Sequence, residues 1–231
     1  MNAGYGKLHV LFDITTEIKE NGITVLVGPN GSGKSTLLKS IFGLTNIFSG
    51  DILFKNDNIA GSPPHKIARM GIAYLPQTSN IFTNLKVREN LVMAGYTLER
   101  NEYTERRDEA LAMFPILKDK LDSQAGTLSG GQRQMLAMAM AIIRKPEIMM
   151  FDEPTASLAP KIATQILQQI ISLRDESKIT IILAEQNAKS ALEIGDNALL
   201  LVSGQLTFDG KAIELLNHEE LGKLYLGISK T

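Results

Sequence analysis

The sequence contains no cysteine, which excludes disulfide bonds, thiolate metal sites and a cysteine nucleophile. It also lacks a long apolar run: the longest, at 135–143, has nine residues, whereas a membrane-spanning helix needs about 20. Any link to a membrane is therefore expected to pass through another subunit. The formal net charge of −1 provides no overall electrostatic attraction for nucleic acid, so no nucleic-acid partner is expected. No apolar segment follows residues 1–7, so no secretory signal peptide is predicted.

The 231 residues suffice for one large domain or for one domain with an insert. Strand and helix patterns alternate up to about residue 77 and again from 145, whereas 85–144 is helical in pattern throughout. The alternation predicts an α/β domain with a parallel sheet and right-handed crossovers. The helical block predicts an insert in that domain.

Two further predictions concern the ends of the chain. The alternation of Ile14, Thr16 and Ile18 with polar neighbours predicts that 8–18 form a pair of strands. A last short helix is predicted near 219–225.

A phosphate-binding loop is predicted between an apolar, β-branched run at 23–27 and a helix that follows it. The loop fits G-x-x-x-x-G-K-[ST], in which glycines let successive backbone N–H groups face a phosphate. The helix N-terminus adds its partial positive charge. Lys34 is expected to reach the β- and γ-phosphates of a nucleotide, and the Ser35 hydroxyl to coordinate Mg²⁺. The loop residues are Gly28, Pro29, Asn30, Gly31, Ser32, Gly33, Lys34, Ser35 and Thr36.

A second chemical position is the apolar run 148–151, which ends in Asp152 and Glu153. At the carboxyl end of a parallel strand such a pair faces the ligand crevice. We expect Asp152 to hold Mg²⁺ through water and Glu153 to polarise the attacking water. The alternative is a strand capped by two solvated acids. The upstream phosphate loop favours the functional interpretation.

A third position is the run Leu128-Ser129-Gly130-Gly131-Gln132 before a helical pattern that reaches residue 144. Ser129 is a good N-cap, and the two glycines leave the first N–H groups open to an anion. A serine-glycine pair at a helix start, taken by itself, indicates only a helix cap. Ahead of an apolar strand ending in Asp-Glu, it indicates a second phosphate-binding helix start.

Together these motifs resemble the nucleotide-binding subunit of an ABC transporter. Residues 28–36 are similar to its Walker A motif, 128–132 to its signature and 148–153 to its Walker B motif with the catalytic glutamate. Gln77 resembles the Q-loop glutamine, a further Mg²⁺ ligand, and Tyr5 the A-loop aromatic residue that stacks on adenine.

The resemblance covers essentially the whole chain and implies a P-loop NTPase fold. That fold has a RecA-like core with a parallel sheet, an antiparallel β edge subdomain and a helical insert subdomain. One domain over 1–231 is expected, with the α/β core at 1–77 and 145–231 and the helical signature subdomain at 78–144.

The resemblance also implies ATP and Mg²⁺ as ligands, and two ATPase subunits arranged head to tail. ATP would lie between the Walker A motif of one subunit and the signature of the other. Further implied partners are polytopic permease subunits and, indirectly, a solute-binding protein, with the chain peripheral on the cytoplasmic face of the cell membrane. A permease is expected to dock near 81–93, although Leu85, Val87 and Leu91 could equally be core of the insert.

Finer features resemble the branched-chain amino-acid transport ATP-binding subunits, which implies import of branched-chain or other hydrophobic amino acids. They include Leu158-Ala159-Pro160, Ala184-Glu185-Gln186-Asn187-Ala188 and the ending at 225–227. Three positions depart from the wider family. Gln186 replaces a catalytic histidine, Ala159 replaces an aspartate, and only four residues precede Tyr5, where an edge strand is usual. A glutamine amide can donate a hydrogen bond but cannot carry a proton.

Two alternatives remain open at this point. One is a soluble ABC ATPase of an assembly system. The other is a nucleotide-binding regulatory module with little turnover, which Gln186 and Ala159 favour and Glu153 opposes. A P-loop GTPase is disfavoured because no N-K-x-D motif occurs.

Overall fold

The computed structural model describes residues 1–78 and 80–219. Its strands are mostly short, apart from those that build the centre of the molecule. Within the described residues the strands are β1 (Asn2–Tyr5), β2 (Leu8–Leu11), β3 (Ile23–Val27), β4 (Asn46–Ser49), β5 (Leu53–Phe54), β6 (Asp57–Asn58), β7 (Ile72–Leu75), β8 (Ile148–Asp152), β9 (Thr180–Ala184), β10 (Asn197–Val202) and β11 (Gln205–Lys211).

Helices lie in half of the connections between these strands. Two short 3₁₀ segments, Pro115–Lys120 and Ala125–Thr127, lie in the longest connection. The α-helices of the described residues are α1 (Lys34–Ile41), α2 (Pro64–Arg69), α3 (Val87–Ala94), α4 (Arg100–Met113), α5 (Gly130–Ile142), α6 (Pro160–Ser177), α7 (Ala188–Leu192) and α8 (Ala212–Leu216). The helix predicted near 219–225 lies outside the described residues except for its first residue.

A six-stranded sheet in the order β11-β10-β3-β9-β8-β7 forms the centre of the molecule. All neighbouring pairs are parallel except the β10–β11 hairpin. Every residue of β3 and β9 is buried. This is typical of central strands in a parallel sheet that is covered on both faces, whose sequences are mostly apolar. The parallel register places Ala184 beside both Leu26 and Asp152, so the carboxyl ends of β3, β9 and β8 lie at one edge.

The sheet separates two hydrophobic cores because alternate side chains of each strand point to opposite faces. On β3, Val25 and Val27 belong to the core that α5, α6, α7 and α8 cover, whereas Leu26 belongs to the core beneath α1 and α2. Fully burying such a side chain contributes about 1.5–3 kcal/mol. The arrangement is a three-layer α/β sandwich, which fixes the loops at the carboxyl edge of the sheet.

A smaller antiparallel sheet in the order β2-β1-β4 packs beside this sandwich. The prediction of two strands over 8–18 is wrong beyond Leu11. Asp13 adopts a left-handed φ of 50°, which ends the strand, and the Ile14 N–H donates to the Met1 carbonyl at 3.0 Å. The alternation at 14–18 therefore reflects the packing of Ile14 and Ile18 into the core beneath α1 and α2, and not a strand ladder.

The helical block between β7 and β8 contains α3, α4 and α5, as predicted from its pattern. Val87 and Leu91 are fully buried in its core, so these two residues are insert core and not docking surface. Leu85 is half-buried. Across the part of the chain that the structure describes, no helix is long and apolar enough to cross a membrane.

Candidate functional site

The predicted phosphate loop joins β3 to α1 at the carboxyl edge of the sheet. Two of its glycines cannot be replaced without displacing the backbone or a core side chain. Gly28 has φ 147°, and a Cβ there would lie 2.0 Å from the Leu201 carbonyl oxygen. Gly33 has φ 107°, and its Cβ would lie 2.7 Å from Leu11 Cδ2. The loop therefore has the curled backbone that the motif predicts.

The Lys34 ammonium lies inside this loop, where its Nζ donates to the carbonyls of Gly28 at 2.8 Å and Pro29 at 3.2 Å. Lys34 is only 5% exposed. Burial lowers the pKa of its ammonium group, and the neighbouring carboxylates of Glu153 and Asp152 oppose that shift. The loop thus holds one cation at its centre, bonded to the loop's own carbonyl oxygens.

Ser32 supplies a second observation that fits a bound phosphate. Its hydroxyl oxygen is buried and has no hydrogen-bond partner among the described residues. A buried hydroxyl without a partner costs free energy, and a phosphate oxygen in the loop would satisfy it. The residues present therefore fit the β- and γ-phosphates of a nucleotide.

Asp152, the last residue of β8, is held through both carboxylate oxygens. Ser35 Oγ donates to its Oδ1 at 2.8 Å, and the Tyr74 hydroxyl donates to its Oδ2 at 2.9 Å. Burial and the Asp152 carboxylate raise the pKa of Tyr74, so its hydroxyl stays a proton donor at neutral pH. The pairing of Ser35 with Asp152 brings together two oxygen groups of the kind that Mg²⁺ prefers.

Glu153 follows directly and adopts an unusual backbone conformation, with φ 51°. Its N–H donates to the Ala184 carbonyl at 2.9 Å, which keeps the strained residue in place. Its carboxylate accepts a hydrogen bond of 3.1 Å from Gln77 Nε2. Backbone strain of this kind persists at functional sites, at a cost of about 1–3 kcal/mol. The structure therefore joins the two predicted residues Gln77 and Glu153.

Glu185 is a residue at the site whose role sequence reasoning missed. The residue is 3% exposed, and its carboxylate accepts hydrogen bonds from the Thr155 N–H at 3.1 Å, the Thr155 hydroxyl at 2.8 Å and the Gln186 N–H at 3.2 Å. Burial raises the pKa of its carboxyl group against the effect of these donors. Glu185 thereby ties the loop after Glu153 to the turn that carries Gln186. The signal available in the sequence was a carboxylate directly after the apolar strand 180–184.

Gln186 itself lies exposed in the turn before α7. It lines a cavity of about 410 Å³ together with Thr155, Leu158 and Asn187. The structure thus brings Gln186 next to the loop that follows Glu153.

The signature begins α5 with the predicted cap. Ser129 Oγ accepts from the Gln132 N–H at 3.3 Å, and the Gln132 side chain accepts from the Ser129 N–H at 3.0 Å. Added Cβ atoms at Gly130 and Gly131 would meet Leu158 Cδ2 at 2.7 Å and Ile162 Cγ2 at 2.5 Å, so these glycines allow close packing near the start of α6. Ser129 is exposed. Besides these bonds, the Leu128 N–H donates to the Ala125 carbonyl at 3.2 Å, and no hydrogen bond within the described residues joins the signature to the phosphate loop.

Tyr5 ends β1 and is 42% exposed, so its ring is accessible for stacking. The next residue, Gly6, has φ 58° and donates its N–H to Asn46 Oδ1 at 2.9 Å. The turn is therefore fixed to β4 of the small sheet.

Known proteins share this architecture and these motifs. The model of the ABC transporter family matches residues 11–156. A protein of Archaeoglobus fulgidus, named as the probable branched-chain amino acid transport ATP-binding protein LivF, is 56% identical over 228 residues, which is 99% of this chain and 97% of that protein. The high-affinity branched-chain amino acid transport ATP-binding protein BraG of Pseudomonas aeruginosa is 39% identical across 96% of this chain and 95% of its own length.

Solved structures agree with these relatives. The ADP conformation of an ATP-binding cassette of an ABC transporter superposes with a TM-score of 0.86 at 25% identity, covering 96% of this chain and 94% of that one. The predicted P-loop α/β fold, with an antiparallel β subdomain and added helices, is confirmed. The chain therefore belongs to the ABC transporter family, as one of its ATP-binding ATPase subunits.

Proposed function

We propose that this chain is the ATP-hydrolysing subunit of an importer for branched-chain or other hydrophobic amino acids, bound peripherally at the cytoplasmic face of the membrane. The observation that carries the ATPase part is the meeting of Lys34, Ser35, Asp152, Glu153 and Gln77 at one edge of the sheet. The two relatives named for branched-chain amino acid transport support the substrate class.

Nucleotide binding in this proposal uses the loop and the small sheet. The backbone N–H groups of 28–36 cradle the phosphates, and Lys34 moves its donors from the Gly28 and Pro29 carbonyls to phosphate oxygens. Tyr5 stacks its exposed ring on adenine. The Ser32 hydroxyl gains the partner that it lacks.

The residues that would hold Mg²⁺ are Ser35, Asp152 and Gln77, which offer a hydroxyl, a carboxylate and an amide oxygen. Bound there, the ion would neutralise charge on the phosphate oxygens. Glu153 acts as the general base toward the attacking water, since it is the carboxylate next to Asp152 and already has an orienting donor in Gln77.

A second ATPase subunit, identical or not, is part of this proposal. Ser129 is exposed at a capped helix start, and no hydrogen bond within the described residues joins the signature to the phosphate loop of the same chain. Leu128, Ser129, Gly130, Gly131 and Gln132 would then bind the γ-phosphate held by the partner, with Ser129 and Gly131 in contact with it.

A permease would dock on the helical block. Phe82, Val92, Met93 and Tyr96 are large apolar or aromatic side chains that remain exposed there. The buried Asn90 fixes one end of this surface, since its amide accepts from the Phe82 N–H at 2.7 Å and donates to the Phe82 carbonyl at 3.0 Å. Exposed apolar groups gathered in one region are typical of a protein–protein contact.

The transport role is tested by reconstitution of the chain with its cognate permease and solute-binding proteins in proteoliposomes. We expect ATP-dependent uptake of radiolabelled leucine that exceeds uptake of lysine and is lost with the Lys34→Ala chain. ATP hydrolysis without co-purification of any membrane subunit would contradict the transport role and favour a soluble assembly ATPase.

Gln186→Ala is expected to slow hydrolysis roughly ten- to a thousand-fold, the range for a lost transition-state donor. The reason is that the Gln186 amide positions the attacking water, while Glu153 already supplies the base. Gln186→His is expected to keep or raise activity. The measurement is single-turnover hydrolysis with ATP confined to the Walker A motif of this chain.

The matched control is Gln168→Ala, which removes an exposed glutamine from α6. If Gln186→Ala hydrolyses ATP as fast as the parent and the control, Gln186 has only a structural role.

A further inference from the structure

Tyr74 reaches the active-site edge from a strand that carries none of the predicted site residues. It lies on β7, opposite Met150 of β8, and its hydroxyl donates to Asp152 Oδ2 at 2.9 Å. Its ring is tilted against Phe42, which caps α1, at a centroid distance of 5.6 Å. The side chain is therefore fixed at the ring by packing and at its tip by the Asp152 carboxylate.

The two carboxylate oxygens of Asp152 accept from different residues, and only one of these residues is a proposed Mg²⁺ ligand. Oδ1 accepts from Ser35, whose hydroxyl is the group that would turn to Mg²⁺. Oδ2 accepts from Tyr74, which has no other assigned task at the site. If the Ser35 hydroxyl turns from Asp152 to Mg²⁺, Tyr74 is the one side-chain donor to Asp152 that remains among the residues that the structure describes. A hydrogen bond from O–H to a carboxylate is among the stronger kinds and fixes the plane of the acceptor.

We propose that Tyr74 is a positioning residue for Mg²⁺, holding the Asp152 carboxylate in the orientation that the ion and its water require. The inference rests on the proposed Mg²⁺ site at Ser35 and Asp152. Partners that orient a metal-binding carboxylate commonly change metal affinity by about 10- to 100-fold when removed. A phenylalanine ring could fill the same space beside Phe42, so packing alone does not call for the hydroxyl.

The test is Tyr74→Phe, which removes one oxygen atom and keeps the ring. Binding of a fluorescent ATP analogue is measured in EDTA and again during a Mg²⁺ titration. We expect unchanged affinity in EDTA, because the phosphate loop is intact. We expect the Mg²⁺ concentration that gives half of the maximal change in binding of the analogue to rise about 10- to 100-fold. Hydrolysis should recover when Mg²⁺ is raised to match.

Two further variants separate the possible outcomes. Tyr103→Phe makes the same atomic change on a tyrosine of α4, in the helical block, and should leave the Mg²⁺ titration unchanged. Asp152→Asn should shift it at least as far as Tyr74→Phe. An Mg²⁺ midpoint for Tyr74→Phe equal to that of the parent, with Asp152→Asn shifted, would overturn the role of Tyr74. No shift in Asp152→Asn would instead refute the proposed Mg²⁺ site itself.

Discussion

Glu153→Gln is expected to lower ATP hydrolysis by about 10²- to 10⁴-fold, the contribution of a positioned general base. ATP affinity should stay near the parental value, because the loop at 28–36 and Lys34 are untouched. The new amide has nearly the shape of the carboxylate, and its oxygen can still accept the hydrogen bond from Gln77. The measurement pairs steady-state phosphate release with equilibrium binding of ATP.

The matched control is Glu193→Gln, which changes an exposed carboxylate at the end of α7. Parental turnover in Glu153→Gln would remove Glu153 from the mechanism.

The same variant also reports on assembly, because ATP that is bound and not hydrolysed should hold two subunits together. Sedimentation with ATP is expected to show association, whereas a monomer in the presence of every partner subunit would contradict an ATP site shared between the Walker A motif of one subunit and the signature of another.

Lys34→Ala is expected to weaken ATP binding by about 10- to 150-fold, since a hydrogen bond to a charged group contributes about 1.5–3 kcal/mol. The lysine is buried at the centre of the loop, so water cannot replace it as a donor without reorganising the loop. The measurement is a titration with ATP in the absence of Mg²⁺, which isolates the phosphate contacts from the metal.

Lys39→Ala is the control, because it removes a lysine from the same helix in its last turn, away from the loop. An affinity of Lys34→Ala equal to that of the Lys39→Ala protein would show that Lys34 does not contact the phosphates. Thermal denaturation of both variants checks that α1 remains folded.

Local pattern was sufficient to predict the secondary structure that carries most of the candidate site. The strand before the loop, the helix after it and the capped start of α5 all depend on residues close together in sequence, and the structure has each of them. The parallel sheet followed from the alternation of strands and helices. These features need no knowledge of which strands become neighbours.

Features that depend on distant pairing were missed. Tyr74 and Asp152 meet only because β7 lies beside β8, although the whole helical block separates them in sequence. Glu185 meets Thr155 for the same reason, since β9 lies on the other side of β8. The incorrect strand over 12–18 has a related origin, because the packing of Ile14 and Ile18 into the core beneath α1 and α2 produces the same alternation as a strand. Periodicity reports burial, and it does not report which backbone groups pair.

The buried Asn90 has a consequence for whatever binds the exposed surface near Phe82. Its side chain also donates to the Lys86 carbonyl at 3.0 Å, so the turn from 82 to 90 is tied to itself before any partner arrives. Ordering one backbone residue costs about 1–2 kcal/mol of conformational entropy, and here folding has already met that cost. When a partner binds at Phe82, the free energy of contact therefore contributes to affinity and does not have to offset the ordering of the turn. The surface can accordingly be small and still bind tightly.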